Sequence, residues 1–156
     1  MSRSDTDKKR TERGMRVRRE VLGDAHVDRA IAATTAFSAP FQEYITRAVW
    51  GDIWTRPGLD RRTRSCITLA VLTALGRDGE LALHVRAALR NGLDPAAISE
   101  VLLHTAAYAG VPAANHAIGI AERAIQEAKS TEPPAPPRGA TSRRAGSDAK
   151  PRRSRR

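Results

Sequence analysis

Glu80 and His84 stand one helical turn apart in an otherwise ordinary amphipathic stretch, Asp78 to Asn91. A carboxylate at that spacing favours the imidazolium, and such a pair at the border of a core can line a pocket and move a proton. The same spacing also occurs in surface pairs worth only about 0.2–0.5 kcal/mol. Arg64 heads an almost wholly apolar run that starts at Cys66, where a guanidinium needs an anion. That anion is either a substrate carboxylate or a structural partner such as Asp52. Arg56, beside Pro57-Gly58, is a second candidate cation on a turn. His104 and Tyr108 repeat the i, i+4 spacing, with Glu100 one turn earlier, and Asn115 and His116 follow Pro112 near a helix start that favours anions. Trp50 and Trp54 straddle Gly51-Asp52 and are expected either to wall a pocket or to anchor a core or subunit contact.

These side chains must be held by helices. Apolar residues recur at helical spacing almost throughout, and no alternating strand pattern bounded by turns interrupts them. Predicted helices cover residues 17–22, 26–37, 40–50, 61–75, 78–91, 96–109 and 112–128. Asp60, Asp78 and Asp94-Pro95 serve as starts, and Gly76, Asn91-Gly92 and Gly110 as stops. Short connections between them fit an all-α antiparallel bundle of about six to seven helices. The run from Arg61 to Leu75 is apolar enough to be the central buried helix.

The net charge of +10 is unevenly spread. Residues 15–129 hold 14 basic and 12 acidic side chains, whereas residues 130–156 hold 8 and 2. The basicity therefore belongs mostly to a Pro- and Arg-rich end segment and is no nucleic-acid footprint on the folded part. Residues 1–14 lack apolar periodicity and residues 130–156 cannot build a core, so both are expected to be disordered tails around one domain, 15–129. Nucleic acid is expected to make at most nonspecific contacts with the basic tail. A single cysteine, Cys66, precludes an intramolecular disulfide and suits a reducing compartment. The polar N-terminus has no secretory pattern, and no apolar run approaches the roughly 20 residues of a membrane span. A cytoplasmic protein without membrane contact is expected. The histidines 26, 84, 104 and 116 show no metal-ligand spacing, and neither a glycine-rich phosphate loop nor a nucleophile elbow occurs.

The segment Trp50-Gly51-Asp52-Ile53-Trp54-Thr55-Arg56-Pro57-Gly58-Leu59 resembles the gamma-carboxymuconolactone decarboxylases. So do Arg62-Thr63-Arg64-Ser65, the helix from Glu80 through His84 to Ala88, Glu100 to His104, and Tyr108-Ala109-Gly110-Val111-Pro112 through Asn115. The later pattern is shared with the broader alkylhydroperoxidase-D-like superfamily. The thiol-using branch of that superfamily carries Cys-x-x-Cys ahead of the histidine, where this chain has Arg77 and Glu80, so a disulfide relay is excluded. The resemblance implies an alkylhydroperoxidase-D-like fold, a homo-oligomer (hexamer or trimer), and cofactor-free loss of CO2 from 4-carboxymuconolactone. In that reaction His84 is the expected acid, tuned by Glu80, while Arg64, Arg56, Trp50, His104, Tyr108 and Asn115 are expected to bind the lactone dicarboxylate. Two alternatives remain open: decarboxylation of a different lactone, and a non-catalytic helical assembly that binds polyanions through the basic tail.

Overall fold

A computed structural model describes residues 3–131, and all the regular structure among them is helical. The order is α1 (Arg3–Leu22), α2 (Asp24–Ala32), α3 (Ala39–Tyr44), a π-helix (Ile45–Ile53), α4 (Arg61–Ala74), α5 (Asp78–Arg90), α6 (Pro95–Ala109) and α7 (Val111–Thr131). The expected all-α bundle forms. Of the basic segment 130–156, all but the last two residues of α7 lies outside the described residues.

Local chemistry sets most boundaries. The Asp60 carboxylate accepts the Thr63 N–H at 2.7 Å and Asp94 accepts that of Ala97 at 2.7 Å; each such cap is worth about 1 kcal/mol. Gly76 (φ 62) follows α4 and Gly110 (φ 93) ends α6, in the left-handed region where a Cβ is penalised. Asp78 departs from expectation. Arg77 is the N-cap of α5, and Asp78 lies inside the first turn, where its charge complements the helix dipole.

Two apolar clusters result. The main one packs Leu69 of α4, Leu81, Val85 and Ala88 of α5, Ile98 and Leu102 of α6, and Ala117, Ile120 and Ala124 of α7. Full burial of a leucine or isoleucine there stabilises the fold by about 1.5–3 kcal/mol. The second gathers Val17, Val21 and Leu22 of α1, Val27 of α2, Trp50 of the π-helix and Ala87 of α5, with Leu83 against them. Helix α5 thus serves both clusters. At about 100° per residue, His84 falls on the seam between its two apolar faces.

Of residues 1–14, expected as a tail, the first two lie outside the described residues; from Arg3 onward they belong to α1, which lies along the π-helix in an extensive interhelical contact. Over the first half of α1, polar groups and close backbone approach make this contact, which explains the missing apolar signal there. Arg10 pairs with Asp52, Arg13 Nε donates to the Gly51 carbonyl at 3.0 Å, and Gly14 meets Thr46 and Gly51 backbone to backbone. The predicted helix 40–50 is also revised, since from Ile45 it widens to i→i+5 bonding. One turn then separates Thr46 from Trp50 and Gly51, and all three are buried toward α1.

Helix α4 is not the wholly buried centre that its apolar sequence predicts. Ser65, Leu69 and Thr73 are buried, but Ile67, Val71 and Leu75 expose about half of their surface. Leu103, Tyr108 and Val111 are likewise exposed. A helix that is apolar all round needs cover on both faces, and one chain covers only one.

Candidate functional site

His84 is half-buried on the seam of α5, with Leu83 and Ala87 of the second cluster on one side and Val85 of the main cluster on the other. Burial pushes its imidazole down to about 4, and the positive field of His26 adds to this; Glu80 acts in the opposite direction and does not prevail. The expectation that Glu80 keeps the ring protonated is therefore corrected. Glu80 is exposed, so water screens its field, while the ring has lost much of its own solvation. Near neutral pH His84 is a neutral imidazole in this chain.

Trp50 is buried in the cluster flanking His84 and stacks on Trp54, with ring centroids 5.1 Å apart and planes inclined by 30°. Arg64 is half-buried, and its Nη2 donates to the Arg56 carbonyl at 2.9 Å, which fastens the 56–60 turn to α4. The alternative Arg64–Asp52 pair does not form, because Asp52 is taken by Arg10 and Arg13. Arg10 holds the Asp52 carboxyl below its ordinary range. Arg64 Nε stays buried without a partner and keeps donor capacity, while Arg56 is exposed.

The remaining expected residues lie on other surfaces. His104 and Tyr108 face outward on α6, their rings 5.1 Å apart and tilted by 49°. His104 lines a groove of about 460 Å³ between α4 and α6, together with Cys66 and Glu100. Asn115 is exposed on α7, and its neighbour His116 bonds Asp78 at 2.7 Å. Within one chain, then, Glu80, His84 and the Trp50 cluster come together, and His104, Tyr108 and Asn115 do not join them. Another groove, about 540 Å³ along α1 between Glu12 and Asp24, contains none of these groups.

Two further residues belong with His84. Arg18 of α1 is buried, with Nη1 donating to Thr46 Oγ1 at 3.2 Å and Nη2 to Gln42 Oε1 at 3.0 Å. His26 of α2 is held below its ordinary pKa by burial and then by Arg18, with Arg29, Arg86 and Arg90 adding to the effect. A signal for Arg18 was present in the sequence. Arg18 stands one helical turn before Leu22 and beside Val17 in sequence, so a charged residue borders the apolar stripe of α1, while His26 precedes the apolar Val27 on α2. Together these groups form a positively biased, poorly solvated patch suited to a small anion.

Residues 39–123 match the model of the carboxymuconolactone decarboxylase family. A 4-carboxymuconolactone decarboxylase from Acinetobacter baylyi is 46% identical over 121 residues, covering 78% of this chain and 90% of the relative. A nitrosuccinic acid decarboxylase from Metarhizium robertsii is 40% identical over 114 residues, covering 73% and 80%. A 4-carboxymuconolactone decarboxylase from Pseudomonas putida is 54% identical over 46 residues, covering 30% of this chain and 96% of that sequence. The family match begins at α3, so Arg18 and His26 stand ahead of it.

Proposed function

The chain belongs to the carboxymuconolactone decarboxylase family, and on that premise we propose that it converts 4-carboxymuconolactone to the β-ketoadipate enol-lactone and CO2, without a cofactor, in the protocatechuate arm of aromatic catabolism. Decarboxylation is the activity named for the relatives at 46% and 40% identity. Their named substrates are small dicarboxylic acids with a built-in electron acceptor, a lactone carbonyl in one and a nitro group in the other. Such substrates carry their own electron sink, a task that a cofactor performs elsewhere.

In the proposed step the bond to the departing carboxylate breaks and CO2 leaves. The electron pair delocalises through the butenolide double bond onto the lactone carbonyl oxygen. A proton then adds to carbon, so one proton is consumed per turnover. His84 supplies it. A substrate dianion beside the ring offsets the cost of charging it, so the proton is taken up with the substrate, and Glu80 pulls in the same direction. The observation that supports this reading best is the placement of His84, half-buried between two apolar clusters.

The same reading makes the protein a homo-oligomer, a hexamer or trimer. The uncovered apolar residues Ile67, Val71 and Leu75 of α4 and Leu103 and Tyr108 of α6 support a contact between copies.

An ultraviolet assay on enzymatically generated 4-carboxymuconolactone, with nitrosuccinate run in parallel, tests the assignment. The protein is expected to accelerate loss of the lactone chromophore, and His84→Gln to lower kcat by about 10²–10⁴-fold. A rate no higher than the spontaneous one overturns the substrate assignment. Full turnover in a folded His84→Gln protein removes the proton-donor role.

A further inference from the structure

Arg18 exposes 5% of its surface. A guanidinium at that depth ordinarily meets a carboxylate, because a charge taken out of water without one is costly. Even the more exposed arginines of α1 meet carboxylates: Arg10 pairs with Asp7 and Asp52, Arg13 with Asp52, and Arg19 with Asp24 and Asp28. The partners of Arg18 are two neutral oxygens, Thr46 Oγ1 and Gln42 Oε1, and its Nε is buried with none. Burial alone lowers its basicity, and no carboxylate counters the effect. The charge of Arg18 acts on His26, and that of His26 on His84.

Resting on the decarboxylase reading above, we propose that Arg18, with Thr46 beside it, binds the carboxylate of a small dicarboxylic acid that stays on the product. Differential binding decides which carboxylate this is. The departing carboxylate must lose its charge, and a guanidinium on it would stabilise the ground state more than the transition state. A carboxylate that keeps its charge throughout can be held tightly without raising the barrier. The departing group then faces the Trp50–Leu83–Ala87 cluster, where low polarity favours neutral CO2 over an anion. Gln42 Oε1 occupies one of the two positions that a carboxylate fork would take on Arg18. It belongs to α3, a helix that buries no residue, so displacing it disturbs little packing.

Arg18→Met tests this, with Arg18→Lys beside it. Methionine keeps much of the volume and removes a buried charge that has no counter-ion, so the thermal midpoint is expected to hold or rise. KM for 4-carboxymuconolactone is expected to rise about 100-fold or more with kcat within about fivefold, and Arg18→Lys to fall between. Calorimetry with succinate and its monoamide supplies a readout independent of turnover. Wild type should prefer succinate by about tenfold or more, and Arg18→Met should abolish the preference. An unchanged KM, a large fall in kcat at constant KM, a collapse of the thermal midpoint, or equal wild-type binding of the two probes each overturns the proposal. A wild type that discriminates the probes through Arg18 but does not decarboxylate the lactone keeps the anion site and removes only the decarboxylase reading. An active enzyme whose Arg18→Met form keeps its KM does the reverse.

Discussion

Keeping His84 neutral should leave a measurable mark on acid stability. In the unfolded chain the ring titrates near 6.5, and in the native protein at about 4. Between these values the unfolded state holds a proton that the native state lacks. The stability contributed by a neutral His84 is therefore complete above pH 6.5 and is lost as pH falls through that window, levelling off below the native value. At roughly 1.4 kcal/mol per pH unit the full effect is about 3 kcal/mol, of which about 2 kcal/mol falls between pH 7 and pH 5. Urea denaturation at these two pH values, at one fixed protein concentration, should show wild type losing about 2 kcal/mol more than His84→Gln. Histidine proton shifts followed by NMR, with His84 assigned by its absence from the variant, locate the midpoint directly. Added succinate should move that midpoint upward, because an anion beside the ring favours the imidazolium. A His84 midpoint at or above 6.5 without ligand, or the same pH dependence in wild type and variant, would refute the reasoning.

Two further changes probe the scaffold. Alanine at Gly51 would place a Cβ 2.4 Å from the Arg10 carbonyl oxygen, which is backbone and cannot rotate away. A loss of about 1–3 kcal/mol in urea denaturation is expected, and a wild-type midpoint would mean that α1 does not pack there. Val71→Glu puts a charge on the uncovered face of α4; light scattering should show a smaller assembly with unchanged helical circular dichroism, and an unchanged mass would remove that face as the contact between copies.

The second half of the fold is written locally. Asp60 and Asp94-Pro95 start helices, and Gly76 and Gly110 stop them, by chemistry that reaches only three or four residues. The first half is not. What holds the beginning of α1 is Arg10 on Asp52 and Gly14 against the Thr46 carbonyl, contacts that span more than thirty residues and have no apolar period. The π-helix is equally silent, because Tyr44, Ile45, Ala48 and Val49 fit an α-helix as well, and the packing of α1 against Gly51 goes with the wider turn. At the site, spacing revealed that Glu80 and His84 are neighbours. It could not reveal that one is exposed and the other half-buried next to His26, and this difference sets the charge of the ring.

The glycine contact and the anion patch are two sides of one joint. Thr46 turns its carbonyl toward Gly14 and its hydroxyl toward the Arg18 guanidinium, one helical turn further along α1. The separation of α1 from the π-helix, kept small by Gly14 and Gly51, thereby fixes how far Arg18 must reach to Thr46 and Gln42. Trp50, on the same π turn as Thr46, packs with Ala87 and Leu83 beside His84. Two bare backbones at a crossing point thus locate a buried cation relative to an imidazole on α5. The residues that set this geometry carry no reactive group, whereas those that carry one, Arg18, His26 and His84, come from three helices that meet in the cluster of Val17, Val21, Val27 and Ala87.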